Sequence, residues 1–317
     1  MYNELHFRAM NTDVNAWLWS EDQQSARRAL DEVERFFHAM HTRFTRFETT
    51  SELSALNASA GQPFVASPEM FEVVNLALKF SDLTGGLFNP TIIGALEAAG
   101  YDRTFEALPA TKRRAGSAAK VSAASAITLD VAQRTITLPT GARLDLGGIV
   151  KGWAVQRATQ QLALYGPCLV DAGGDMMTIG SVPGTPGWSI ELADPFDHER
   201  DVLTLRLRDQ AIATSGIDRR RWQRADGTWQ HHLIDPRTGQ PSTSDLLTAT
   251  VIAPVTLDAE VYAKTVFLLG SEEGRRFVDE HPALAVCLIT TAGEMTLSKT
   301  MKEYLDVQFV FSSSPVA

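Results

Sequence analysis

Cysteine is scarce in this sequence. Cys168 and Cys287 are the two in 317 residues, and each sits inside an apolar run, "YGPCLVDAGG" and "ALAVCLITT". That excludes a disulfide framework and a cysteine-built metal clamp; both read as small buried hydrophobes. Positive charge is also short: 29 Lys and Arg face 38 Asp and Glu, for a net charge of -9. No basic surface dominates, which argues against a nonspecific nucleic-acid binder. One local cluster, Arg219-Arg220-Arg221, suits a phosphate contact. No run of 18 apolar residues exists, so neither a membrane-spanning helix nor membrane insertion is expected. The start, "MYNELHFRAM", lacks the basic-then-apolar pattern of a secretion signal. With Met1 in place, the expectation is a cytoplasmic protein. There is no fixed-period repeat and no low-complexity linker.

What is present is the composition of a globular protein, 44% hydrophobic and 21% charged. The length suits one large domain or two smaller ones. "HFRAMNTDVNAWLW" alternates loosely and is rich in strand formers, which predicts a strand. A capping box, Ser20 with Gln23, opens a helix of about twenty residues. A second helix covers roughly 67–84 and ends at Gly85-Gly86. Residues 102–123 are polar and alanine-rich and read as a surface excursion. "AITLDVAQRTITLP" has a hairpin pattern, and "GGIVKGWAVQRATQQLALYG" that of a glycine-started helix. Short alternating strands fill 168–252. Then come a helix at 259–270, a helix closing at "FVDEHP", and strands "ALAVCLITT" and "EMTLS". Helices mixed with mainly antiparallel strands predict a single α+β domain over 1–317.

Four stretches are too rich in glycine and charge to be core alone. "LDLGGIVKG" sets Asp145 at a strand end, then two glycines, then a helix start with free amides that favour an anion. Lys151 in its first turn reaches a phosphate, unless this is an ordinary strand–helix turn. "VDAGGDMMTIG" places Gly173-Gly174 before Asp175, for close backbone approach or a bulged hairpin. "AIATSGIDRRRW" offers hydroxyls, Ser215 among them, and arginines after a strand. In "HHLIDPRTGQP" a turn explains Asp235, Pro236 and Gly239; it does not explain His231, His232 or Arg237. A fifth stretch, "AEVYAKTVFLLG", sets Glu260 and Lys264 face to face on one helix. At about 100° per residue, Leu257, Val261 and Leu268 flank the pair on one side, Ala263 and Phe267 on the other. Asp258 and Thr265 are left for solvent. The pair is either a rim pair with snorkelling stems or a working pair.

Taken in order, these stretches resemble the FAD:protein FMN transferases, the ApbE flavin transferases. "MNTDV" is similar to the family's Met-Gly-Thr opening and "RFTRFETTSELSALN" to its Phe-Ser-x-Tyr…Ser-Glu-Leu-x-x-Asn segment. "TGGLFNPTI" resembles Thr-x-Gly-x-Phe-Asp-Pro-Thr, and "LDLGGIVKGWAV", "LVDAGGDMMTIG", "IATSG" and "HHLIDPRTGQP" follow in the family's sequence. The resemblance covers nearly the whole chain. It implies an ApbE-type α+β fold with a mainly antiparallel sheet and flanking helices, FAD as ligand and Mg2+ dependence. The implied activity is transfer of FMN onto a Thr or Ser hydroxyl of a partner protein, with release of AMP. By position it implies FAD contacts at Met10, Phe47, Leu87, Phe88, Asn89, Asp145, Lys151 and Ile234; Gly174 and Ser215, from the glycine and hydroxyl stretches, are expected to join them. His232 is implied as general base. The metal ligands fall on the Gly148 carbonyl and on side chains 260 and 264.

Three positions depart from the family. Phe47 stands for a Tyr and Asn89 for an Asp. Glu260 and Lys264 stand for the Asp and Thr of the metal site. A protonated lysine repels Mg2+ instead of binding it. The expectation is that the Lys264 ammonium takes the metal's place, held by Glu260 and the Gly148 carbonyl, and acts in catalysis. The alternative is that Lys264 swings aside and Glu260 holds Mg2+ with Gly148. Two other functional readings fit this exchange, an FAD-binding homologue without transfer activity and an FAD pyrophosphatase. No acceptor motif of the family occurs in the chain, so self-flavinylation is not expected.

Overall fold

A computed structural model describes residues 1–105, 121–223 and 227–306. Most of the excursion at 102–123 lies outside the described residues. Eight strands form the central sheet and lie in it in chain order: β1 (Tyr2–Ala9), β2 (Thr12–Trp19), β3 (Cys168–Ala172), β4 (Asp175–Ile179), β5 (Ala211–Gly216), β6 (Leu246–Ala253), β7 (Ala285–Thr290) and β8 (Met295–Leu297). Every neighbouring pair is antiparallel. The helices are α1 (Gln23–Phe44), α2 (Glu52–Ala58), α3 (Pro68–Leu83), α4 (Ile93–Ala99), α5 (Val150–Leu162) and α6 (Thr256–Asp279). The α+β, mainly antiparallel architecture expected from the patterning is the one observed. No helix among the described residues is long and apolar enough to cross a membrane.

The sheet is buried on both faces, and period two divides its side chains. Ala249 and Val251 of β6 and Val286 and Leu288 of β7 join the helices in the main core. Ile252, Ala285, Cys287 and Ile289 point the other way. There they meet Trp188, Ile190, Leu205 and Leu207 from a long hairpin, Trp188–Asp194 with Asp197–Leu207. Cys168 and Cys287 therefore sit in different cores, unpaired, and burial pushes both thiols up to about 12.

Several local readings are corrected. The single strand read over 6–19 is a hairpin. Its two-residue turn, Met10-Asn11, has both φ positive, at 53° and 58°. That is the handedness a tight hairpin needs, on a methionine that does not advertise it. The cap of α1 is Asp22, whose Oδ1 accepts from the Gln24 and Ser25 amides; Gln23 instead donates to the Ser20 carbonyl. Ser51 caps the short helix α2, which carries too few turns to show a period. Helix α6 changes direction at Gly270, where φ is 84°, as a C-terminal glycine predicts. Of its expected solvent face, Asp258 and Thr265, the first is half-buried and the second fully buried. Helix α6 packs on β5 and β6 and also against α5; it is covered up to Gly270, and its exposed residues, Glu272, Glu273, Arg275 and Arg276 among them, lie beyond it.

Candidate active site

The residues assigned above to FAD, to the base and to the metal site all line one cavity of about 700 Å³, a size suited to a cofactor-sized ligand; Arg221, His231 and Arg237 do not line it. Eight parts of the chain build it. The β1–β2 turn brings Met10. The segment after α1 brings Phe47, and the one after α3 brings Leu87, Phe88 and Asn89. The turn into α5 brings Asp145, Gly148 and Lys151, and the β3–β4 turn brings Gly174. Ser215 comes from β5, His232 and Ile234 from the chain after it, and Glu260 and Lys264 from α6.

The Met10 turn is braced from two sides. Its amide donates to His41 Nδ1 at 2.9 Å, and Arg220 Nη2 donates to the Asn11 carbonyl at 3.2 Å. Across the cavity, Arg46 is held in place almost completely. Its Nε lies 2.7 Å from Asp145 Oδ2, its Nη2 donates to the Tyr101 carbonyl at 2.7 Å, and its guanidinium stacks on Phe47 at 4.3 Å. Asp145 Oδ1 also accepts from the Gly147 amide. The Asp145 carboxylate is thus engaged by protein groups, and the amides before α5 are less free than the sequence suggests. Asn89 works as a brace too, accepting from Thr91 and donating to the Ser122 carbonyl.

The polar centre is a set of four charges. Lys151 Nζ is bonded to Asp175 and to the Ala172 carbonyl. Glu260 divides its carboxylate. Oε1 lies 3.1 Å from Lys264 Nζ, and Oε2 accepts from the Gly152 amide at 2.8 Å. Gly152 lies in the first turn of α5, whose own N-cap residue, Ile149, supplies no side-chain bond. Glu260 therefore caps α5 from the neighbouring helix, where a carboxylate is favoured by the helix dipole. A Cβ at Gly152 would stand 2.7 Å from that Oε2, so glycine is required there. Burial pushes the Asp175 carboxyl up to about 6; Lys151 and Lys264 pull against the shift and Glu260 adds to it.

His231 and His232 diverge, as alternation along a strand requires. His231 is 7% exposed and turns into the core, Nε2 bonded to the Ser242 carbonyl and Nδ1 accepting from Leu233. His232 lines the cavity, and its Nδ1 has no hydrogen-bond partner among the described residues. Burial pushes this imidazole down to about 3, and Arg220, His231 and Lys264 add to the shift. It is a neutral ring, bonded to the Arg220 backbone, with Nδ1 buried and unpartnered among the described residues. The Asp235 turn is closed by Arg237 without help from His232.

Mg2+ does not fit the donor set at positions 148, 260 and 264. One Glu260 oxygen is spent on an amide and the other on an ammonium. The Lys264 stem packs over Gly148, where a Cβ would meet Lys264 Cε at 3.2 Å and Phe88 Cε2 at 3.3 Å. Among the described residues no cluster of three His, Cys, Asp or Glu side chains is arranged to hold a metal. Lys264 donates to Glu260, to its carboxylate and more weakly to its carbonyl at 3.5 Å; the expected partner at the Gly148 carbonyl is not used. Arg46 and Tyr101 carry no signal in the sequence; Asp175 stands out there after two glycines and Arg220 within the arginine cluster, neither with the partner it has here.

The ApbE family model matches residues 10–288. The FAD:protein FMN transferase of Treponema pallidum is 30% identical over 284 residues, 82% of this chain and 76% of that protein. The one of Klebsiella pneumoniae is 26% identical over 304 residues, covering 92% and 90%. Among solved structures, the ApbE protein of Thermotoga maritima superposes with a TM-score of 0.87 at 26% identity, covering 96% of this chain and 99% of that one. The flavin transferase ApbE of Vibrio cholerae gives 0.79 at 24% identity, covering 96% and 100%.

Proposed function

The chain belongs to the ApbE family, and from that premise we propose that it transfers FMN from FAD onto a Thr or Ser hydroxyl of a partner protein and releases AMP. The observation that carries the reading is a neutral, unpartnered His232 Nδ1 in the same cavity as two ammonium groups. The acceptor oxygen attacks the FMN-side phosphorus of the pyrophosphate. The bond from that phosphorus to the bridging oxygen breaks, and AMP leaves with the electron pair. His232 Nδ1 takes the hydroxyl proton. Negative charge grows on the phosphate oxygens, and fixed cations nearby stabilise it most where water is excluded.

In this reading Lys264 supplies that cation. In its relatives a carboxylate and a divalent ion would leave a net +1; here Glu260 and Lys264 sum to zero, which favours a slower enzyme. Glu260 aims the ammonium, and the cap on α5 fixes Glu260. The FAD contacts are assigned to Met10, Phe47, Leu87, Phe88, Asn89, Asp145, Lys151, Gly174, Ser215 and Ile234. Arg46 and Phe47 offer a stacking face for a ring, and Lys151 faces the phosphates from beside Asp175.

The test is equilibrium titration with FAD, followed by AMP release and by the mass of a threonine-bearing acceptor protein. FAD binding, AMP release and a gain of one FMN on the acceptor are expected. AMP release without a mass gain would make the chain a pyrophosphatase, and binding alone a carrier.

Asp175 gives this site a pH dependence. A pyrophosphate dianion close by raises its carboxyl further above 6, so binding takes up a proton. FAD affinity should then strengthen as pH falls from 8 toward 6, by up to about tenfold per pH unit. Asp175→Asn should bind FAD at least as tightly and flatten the slope. Titrations at three pH values check this; an unchanged slope in the variant would assign the effect to another group.

A further inference from the structure

We propose that the hairpin of Arg221–Gln223 and Trp229–His231 is the docking strip for the acceptor protein, and that it receives an extended acidic segment beside the reacting hydroxyl. The proposal rests on the transferase reading and names the chemistry of its partner. The hairpin is a two-stranded unit separate from the central sheet, with Arg221 opposite His231 and Gln223 opposite Trp229. Both of its ends lead to the site. Arg219 and Arg220, just before it, line the cavity, and so does His232, just after it.

One face is anchored and the other is presented. Trp222 donates from Nε1 to the Ala99 carbonyl at 3.0 Å and stacks on Tyr101 at 5.5 Å. On the opposite face Arg221, Gln223 and Trp229 are exposed, while His231, at the end next to the site, is buried. Trp229 is 57% exposed, and of the six tryptophans it alone is an exposed residue. The Arg221 guanidinium covers its ring at 4.8 Å. Arg221 has no ion-pair partner among the described residues. A fixed, solvent-facing Trp–Arg pair is the composition of an interface anchor.

Charge selects the occupant. The chain carries a net charge of -9, yet three consecutive arginines gather here. Arg219 is paired with Asp218, its Nε 3.6 Å from Oδ2, and the tip of the long hairpin, with Asp194, Asp197, Glu199 and Asp201, lies beside this segment. It is tied in by His198 Nε2 at 3.7 Å from Asp218 Oδ2. An acidic segment is attracted to Arg221 and kept off the neighbouring acidic hairpin tip. A flat anionic membrane would meet that acidic tip as well and is disfavoured.

The experiment uses two synthetic peptides, one with a central threonine flanked by Asp and Glu, the other with Lys at those positions. Binding is followed by fluorescence anisotropy with FAD present, at two salt concentrations. The native chain should prefer the acidic peptide by about tenfold or more at low salt. Arg221→Glu and, separately, Trp229→Ala should each weaken that peptide by about tenfold. Both variants should keep native FAD affinity, which also shows that they are folded. Arg221→Gln should fall between native and Arg221→Glu. Equal binding of the two peptides, unaffected binding in both variants, or stronger capture by phosphatidylserine vesicles than by the acidic peptide overturns the proposal. Failure of the transferase reading is read separately, as absence of AMP release from FAD.

Discussion

Replacing His232 by Asn is expected to slow FMN transfer by ~10²–10⁴-fold while FAD affinity stays close to native. The reason lies in the state of the ring. His232 Nδ1 carries no hydrogen bond among the described residues, and burial holds the imidazole near a pKa of about 3. It is therefore unprotonated at any physiological pH and ready to accept a proton. So low a basicity makes it a weak base in the empty site; bound phosphates, being negative, raise it toward a useful range. Asparagine keeps much of the volume and cannot take the proton. His231→Asn is the control. His231 sits in the core with both ring nitrogens bonded, so its replacement should lower thermal stability and change rate and affinity only in step with the folded fraction. If His232→Asn loses FAD binding in proportion to rate, the residue is structural and the base must be sought elsewhere in the cavity.

Replacing Lys264 by Met should cost about 10²–10³ in rate, the order found when one fixed charge stabiliser is removed. The more telling change is double. Glu260→Asp with Lys264→Thr installs the ligand types that the family resemblance implies at these positions. It should convert an enzyme indifferent to Mg2+ into one whose AMP release and FAD affinity both require it. Shortening Glu260 also withdraws the oxygen that caps Gly152, so the variant should lose some stability, about 0.5–2 kcal/mol for a lost cap. Chemical denaturation separates that loss from the metal effect.

Glycines, turn residues and acids are legible singly, and most of the residues the motifs named line one cavity, though His231, Asp235 and Arg237 do not. What the motifs could not show was how those residues are held. The Glu260 carboxylate closes on an amide 108 residues away and Lys151 on a carboxylate 24 residues away. No local period encodes such partners. The same holds for the environment of α6. Its arcs were read correctly, but the supposed polar face at Thr265 is covered because α5 and the sheet enclose the helix, and Thr265 satisfies itself on the Val261 carbonyl. The Met10-Asn11 turn was read through as continuous strand because its positive φ values rest on bonds from His41 and Arg220, not on a turn-forming pair. Short helices such as α2 give a cap signal at Ser51 but too few turns for a period to emerge.

The most direct test of the account is the rate of AMP release from FAD by the native chain with a threonine-bearing acceptor protein, measured in EDTA and again in millimolar Mg2+. With Lys264 as the built-in cation, the two rates should agree within about twofold, because no step at Glu260 waits for a metal. AMP release that appears only with Mg2+ would contradict the account, since Lys264 would then have to leave Glu260 and give the ion its place.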